Sequence, residues 1–166
     1  MINFSLIISD MCFAAIAGLG FSYFCNAPLK TIFLTAILAS IAHGLRFSLI
    51  EFFNFQTIAI ATFIASFCMG CIGMLFAKMF KTPAEIIAFP ALIPMIPGIY
   101  AYKAILQLIA FIRTEDAYEK TKYLVNFFDY FFTTLSTTLA LAIGVSITLL
   151  MFFEQSFMVT RNSKKF

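Results

Sequence analysis

The chain alternates between long apolar stretches and short polar segments. Each apolar stretch approaches or exceeds the roughly 20 residues that a helix needs to cross about 30 Å of hydrocarbon. The stretches lie at about residues 5–24, 31–53, 56–79, 83–112 and 124–153. Grouped charges and prolines separate them, as expected for the turns between spans. This pattern predicts an all-α integral membrane protein with about five transmembrane helices.

The fourth stretch is broken at its middle by a proline- and glycine-rich run. Pro90, Pro94 and Pro97 each lack the amide that a helix uses, and Gly98 follows them directly. We therefore expect three carbonyls to lack their helical donors, those of Ile86, Pro90 and Ile93. We expect Gly98 to adopt backbone angles foreign to a helix, and a second half-helix to begin at Ile99. The free amides at its start would then point into the middle of the membrane, where they could attract an anion.

Composition supports the membrane assignment and excludes several other classes of protein. Apolar residues make up 62% of the chain and charged residues only 11%, so lipid rather than water must solvate its surface. The net charge of +3 is small and lies in loops and the tail, which gives no indication of nucleic-acid binding. The first basic residue is Lys30, so we expect the first stretch to be a retained span rather than a signal peptide. With no linker or repeat, residues 1–166 are predicted to form a single transmembrane domain.

A polar face follows the break. Tyr100, Lys103 and Gln107 are spaced by three and four residues and therefore share one side of the second half-helix. A lysine inside a membrane span is costly, which favours a role in substrate binding. The alternative is a simple proline kink whose lysine pairs with Asp10 or Asp129.

A second polar cluster lies in the second span. His43 and Arg46 are three residues apart on one helical face, where imidazole can carry a proton and guanidinium can bind a carboxylate at two points. The alternative is an anchor at the end of the helix. One histidine without a nearby pair of carboxylates is too few ligands for a metal, and no other cofactor is indicated. No nucleophile–base motif is present either, so we do not expect an enzyme.

Three spans carry small residues at steps of three and four, which let helix backbones approach closely in lipid. They predict helix-packing seams, with a lining for a polar pathway as the alternative. The principal positions are Gly18, Ser66, Gly70, Gly73 and Gly144, and Asp10 lies at the head of the first stripe.

The distribution of basic residues predicts the orientation. With the C-terminus in the cytoplasm, Lys30, Lys78, Lys81 and the basic tail all lie on the inner side.

Several motifs together resemble a known family. They are Asn26–Pro28, Ala42–Arg46, Thr62–Ser66 with Gly70 and Gly73, and above all the run Ile93–Tyr102. These segments are similar to the threonine/serine exporter (ThrE-type) superfamily, in particular to the short chains of its two-component members. The resemblance covers nearly the whole chain. Lys103 departs from the family pattern, which has an uncharged residue there.

The resemblance implies export of small metabolites across the bacterial inner membrane. Family members are associated with threonine and serine, and the two-component type with succinate, in which a larger membrane subunit supplies the other half. The chain would then correspond to the C-terminal half of the fused exporters. Pro94, Pro97, Gly98 and Tyr102, in the family motif, become candidate pathway residues beside Tyr100, Lys103 and Gln107. His43 would suit coupling to protons. A non-transporting membrane scaffold is the alternative.

Overall fold

The computed structural model describes residues 4–52 and 57–152. These residues form six α-helices and one 3-10 turn, with no strand among them. In chain order they are α1 (Phe4–Phe24), α2 (Leu29–Phe52), α3 (Ile58–Phe80), α4 (Ala84–Leu92), the 3-10 turn (Ile93–Met95), α5 (Gly98–Arg113) and α6 (Ala117–Met151). The predicted ends of the second and fifth spans, at residues 53 and 153, lie outside the described residues, as does the basic tail.

The membrane class and the broken fourth span are confirmed. Four helices, α1, α2, α3 and α6, are individually long and apolar enough to cross a bilayer. The segments Ala84–Met95 and Gly98–Arg113 pass the same test as a pair and are bent by 45° at their junction. The described residues therefore hold four spans, or five when this bent pair is counted as one broken span.

Helix α6 begins earlier than its sequence indicates. The segment 113–123 was expected to be a polar loop ahead of a span starting at Leu124, but α6 begins at Ala117. The Asp116 side chain caps this end by accepting a hydrogen bond of 3.3 Å from the Tyr118 amide. The expected boundary is therefore wrong by seven residues, because the polar residues of this segment form a capped first turn. At 35 residues, α6 is about 52 Å long and exceeds the thickness of the hydrocarbon core.

The small residues of α3 and α6 lie where these two helices cross. Gly70 packs against Thr148, and Gly144 packs against Ser66. The Ser66 hydroxyl donates to the Phe63 carbonyl at 2.9 Å and also reaches the Ala140 carbonyl of α6 at 3.4 Å. Gly18 of α1 similarly faces α2, where an added Cβ would lie 2.9 Å from that of Ala39. Small side chains thus let these helix pairs approach closely, as membrane helices require.

The broken span divides its contacts between two parts of the molecule. Helix α4 is central: it packs against α1, α2 and α3 and buries Ile87, Ala88 and Ala91 completely. Helix α5 instead packs against α6, where the Tyr100 and Tyr130 rings are 6.2 Å apart. As a result, the break lies where the chain leaves the central bundle for the α5–α6 pair.

We predict that Gly144→Ala destabilises the protein by about 1–3 kcal/mol, the usual range for overpacking a tight contact. An added Cβ would lie 2.9 Å from the Phe63 carbonyl oxygen, which belongs to the backbone and cannot move aside easily. The measurement is the midpoint of thermal unfolding in detergent. Gly20→Ala is the control, because nothing lies within 4 Å of a Cβ at Gly20. Equal midpoints for the two variants would contradict the proposed tight crossing of α3 and α6.

Candidate functional site at the helix break

The break is a compact, internally hydrogen-bonded segment. The Ile96 amide donates to the Ile93 carbonyl at 3.1 Å, which closes the 3-10 turn. Pro97, at φ −77° and ψ 62°, is the centre of an inverse γ-turn in which the Gly98 amide donates to the Ile96 carbonyl at 2.8 Å. The Tyr100 amide then donates to the Pro97 carbonyl at 3.1 Å. The chain therefore passes from α4 to α5 with most of its local backbone groups paired.

This geometry corrects four expectations. Helix α5 begins at Gly98 rather than Ile99, and no described glycine has a positive φ, so Gly98 does not use the special angles expected of it. The Ile93 carbonyl, expected to lack a donor, is paired with the Ile96 amide. Of the first three amides of α5, those of Gly98 and Tyr100 are already engaged, which leaves the Ile99 amide. The predicted anion site of several free amides is therefore wrong.

Arg46 of α2 replaces the hydrogen bond that the break removes. In a continuous helix the Met95 carbonyl would accept from the Ile99 amide, four residues later. Here a terminal nitrogen of the Arg46 guanidinium donates to that carbonyl at 2.8 Å. Inside a membrane an unpaired carbonyl is costly, so Arg46 stabilises the broken backbone as well as carrying a charge to it.

His43 and Asp10 connect two further elements to the same place. The His43 Nδ1 and Asp10 Oδ2 atoms are 3.2 Å apart, which joins α2 to α1. The Pro94 carbonyl also lies close to the imidazole, and its usual helical partner, the Gly98 amide, is diverted to Ile96. On one face of α2, Arg46 therefore donates to the Met95 carbonyl, and His43 lies near the preceding carbonyl without a hydrogen bond from Nε2.

One polar atom of this cluster is left without a partner. His43 is only 7% exposed, and its Nε2 atom is buried with no hydrogen bond. A buried polar atom without a partner is unusual in a native structure and often marks a place for water or a ligand. The Asp10 carboxylate and Tyr100 also lie close enough to act electrostatically on the Arg46 guanidinium. The arrangement thus offers donors from Arg46 beside one carboxylate. Because Nδ1 of His43 donates to Asp10, its Nε2 atom accepts when the ring is neutral and donates only when the ring is protonated.

The remaining candidates on α5 are distributed around that helix. Tyr100 lies beside the cluster, whereas Lys103 is exposed, with Nζ 6.0 Å from the centroid of the Tyr100 ring and 5.6 Å from that of Tyr130. Lys103 forms no ion pair with Asp10 or Asp129, both of which lie within the described residues. Gln107 is partly buried, and its Oε1 atom has no hydrogen-bond partner.

Three other candidates lie outside the cluster. Tyr102 is 62% exposed, and Gly98 is exposed with open space around it. Pro97 shapes the turn without contributing a donor. The structure therefore brings together Asp10, His43, Arg46, Pro94 and Tyr100, and it places Tyr102, Lys103 and Gly98 on outer surfaces.

Sequence reasoning missed two members of the site. The Met95 carbonyl is a backbone atom without a motif, although the loss of its helical donor can be inferred from Pro97, which interrupts the helix two residues later. Tyr130 of α6 lies 30 residues from Tyr100 in the sequence. Only the packing of α5 on α6 brings these two rings together, and no pattern of spacing indicates it.

The described residues thus form a multi-pass membrane protein with a charged cluster at a broken span, an arrangement found in many membrane transport proteins. Residues 10–151 match the family model described as Threonine/Serine exporter, ThrE, so the chain belongs to that family. The match begins at Asp10 and includes every residue of the cluster. It is a transporter family, in accord with the expectation of a protein that is not an enzyme. No solved structure matches this chain.

We predict that Asp10 and His43 contribute to stability together rather than separately. In a double-mutant cycle, the effects of Asp10→Ala and His43→Ala on the free energy of unfolding should differ from additivity by about 0.5–1.5 kcal/mol, because either change alone removes the same contact. The same cycle with Asp10→Ala and Lys78→Ala is the control, since Lys78 forms no ion pair with Asp10. The effects of these two changes on the free energy of unfolding should add within about 0.5 kcal/mol. Additive behaviour of the first pair would rule out the contact.

Proposed function

We propose that this chain is one subunit of a bacterial inner-membrane exporter of small carboxylate metabolites, and that it acts with a larger membrane subunit of the same family. In this proposal the chain corresponds to the C-terminal half of the fused exporters, spans the membrane five times and has its C-terminus in the cytoplasm. Membership in the threonine/serine exporter family supports the transport activity. The assignment of the proposed site rests on the hydrogen bond that Arg46 donates to the Met95 carbonyl.

Arg46 suits a carboxylate ligand. Its guanidinium has five N–H donors in a planar fork, and one of its terminal nitrogens is engaged by the Met95 carbonyl. A carboxylate is a stronger acceptor than a neutral carbonyl and can bind two donors of the fork at once. The Nε2 atom of His43 is buried without a partner, and it can donate to a substrate carboxylate when the ring is protonated, since Nδ1 already donates to Asp10.

Competition for Arg46 suggests how binding is coupled to movement. A substrate carboxylate that engages the guanidinium would replace the Met95 carbonyl as its partner. The turn Ile93–Met95 would then lose the contact that holds it to α2, and α5 could move relative to α4 at the existing 45° bend. Alternating access would follow if the bound and unbound states favour different angles at this break. Proton exchange at His43 would provide a means of coupling to the proton gradient.

We predict that Arg46→Gln reduces substrate efflux at least about tenfold, because a neutral amide cannot bind a carboxylate in this way. Efflux is measured in cells that produce this chain with its larger partner, and again with the partner alone, at matched membrane levels. Arg113→Gln is the control, since Arg113 is an exposed arginine at the end of α5. Normal efflux with Arg46→Gln would exclude the site, and equal efflux with and without this chain would favour the scaffold alternative.

A specific observation favours amino-acid over dicarboxylate substrates. The Asp10 carboxylate lies 3.2 Å from His43 within the cluster, and it can accept hydrogen bonds from a substrate ammonium group. A zwitterion such as threonine would place its carboxylate near Arg46 and its ammonium near Asp10. A dicarboxylate such as succinate would instead place a second anion near Asp10, which is unfavourable.

We predict that Asp10→Asn reduces threonine efflux more than succinate efflux, since only the ammonium group requires the negative charge. Competition between labelled threonine and succinate, in the wild type and in the variant, measures this selectivity. Glu85→Gln is the matched control, because Glu85 is exposed in the first turn of α4. A loss of succinate export equal to the loss of threonine export would contradict the assignment of Asp10 to the ammonium group.

A further inference from the structure

Two opposite charges lie on the outer surface of the α5–α6 pair and have no role in the proposed site. Lys103 of α5 and Asp129 of α6 are both exposed, and neither forms an ion pair within the described residues. The Lys103 ammonium instead lies near the Tyr100 and Tyr130 rings. This arrangement leaves one cation and one anion that are exposed and have no partner of opposite charge in the described part of the chain.

The two charges lie at similar levels along the helices. Tyr100 is opposite Tyr130, and Phe111 is opposite Lys120, whose Nζ atom is 5.7 Å from the centroid of the Phe111 ring. These two contacts show that α5 and α6 are antiparallel. They place Lys103 within about one helical turn of the level of Asp129.

The two charges also lie on the same side of the pair. The Lys103 Nζ atom is 5.6 Å from the Tyr130 ring, so its side chain reaches the Tyr130 side of α6. With 100° per residue, Asn126 and Thr133 lie between Tyr130 and Asp129 around that helix. Lys103 and Asp129 thus lie on either side of a polar strip on the α5–α6 surface, which is formed by Asn126 and Thr133.

The surroundings of this strip are apolar. Ile99 is 70% exposed and Phe132 is 58% exposed, both beside the two charges. In a membrane-spanning chain such a surface faces lipid unless protein covers it, and a charge facing hydrocarbon is unfavourable. Partners of opposite charge at the same depth would therefore stabilise both groups.

We propose that a second copy of this chain covers the strip, with Lys103 of each copy paired with Asp129 of the other. Two copies inserted in the same orientation are related by a twofold axis along the membrane normal, and rotation about that axis preserves depth. Reciprocal pairing is possible only if the cation and anion of one chain lie at similar depth, as they do here. A partner of different sequence would need its own anionic group opposite Lys103 and its own cationic group opposite Asp129. The proposal does not depend on the identity of the substrate.

Charge reversal tests this interface in full-length chains in native-like membranes. Lys103→Asp places two anions together in the pair, and Asp129→Lys places two cations together. Copurification of two differently tagged copies should therefore fall at least about fivefold for either variant with itself. Mixing the Lys103→Asp chain with the Asp129→Lys chain should restore copurification, because both contacts between copies are then attractive again.

The mixed sample separates this proposal from pairing within one chain. If Lys103 and Asp129 of the same chain paired with each other, each variant would keep its own repulsion, and mixing would restore nothing. Failure of the mixture to recover, or absence of wild-type copurification, would overturn the proposal. Transport is not measured in this experiment, so its result is independent of the exporter assignment.

Cross-linking provides a second measurement if the charge variants fold poorly. In a background with Cys12, Cys25, Cys68 and Cys71 replaced by alanine, one tagged copy carries Lys103→Cys and the other carries Asp129→Cys. Oxidation or a short bismaleimide should join the two copies in the membrane. The matched controls are Ile105→Cys and Phe131→Cys, two residues further along each helix and therefore on its opposite side. Equal cross-linking of the control pair, or no cross-linking of the test pair, would overturn the proposed interface.

Discussion

The hydrogen bond between the Arg46 guanidinium and the Met95 carbonyl is the interaction on which the broken span depends. Within hydrocarbon, every backbone polar group needs a partner inside the protein, and the break deprives this carbonyl of the Ile99 amide. Arg46 supplies a donor from a neighbouring helix at 2.8 Å. The same contact gives a charged side chain at this position of α2 a structural role, and it holds α2 and the turn together.

This contact requires the rest of the bundle to be closely packed. Arg46 can reach the turn only because α4 packs against α2, and α4 can do so because it presents alanines and Ile87 to its neighbours. Glycine and serine positions bring α3 and α6 into similarly close contact. The small residues therefore have a functional consequence: they set the distances at which longer polar side chains can span between helices.

The cluster at the break combines mechanical and chemical roles in the same residues. Arg46 supports the backbone while retaining further donors, and His43 contacts Asp10 while its second ring nitrogen has no partner. Arg46 stabilises the break when no substrate is bound, through its hydrogen bond to the Met95 carbonyl. A ligand that binds Arg46 must compete with this hydrogen bond, so ligand binding can change the conformation of the backbone at the break. The exposed charges of the α5–α6 pair are separate from this cluster, which leaves that surface available for assembly.

The sequence by itself determined the membrane class, the five apolar stretches and the position of the break, because these depend on local properties: the length of an apolar run and the chemistry of proline. The spacing of small residues also indicated that Gly70 and Gly144 are closely packed positions. Local chemistry did not reveal the capped start of α6 at Ala117 or the turn that engages the Gly98 amide. The contacts of the site required the tertiary structure. His43 and Asp10 are 33 residues apart in sequence, and Arg46 and Met95 are 49 apart, so only the packing of α1, α2 and α4 could decide that they meet.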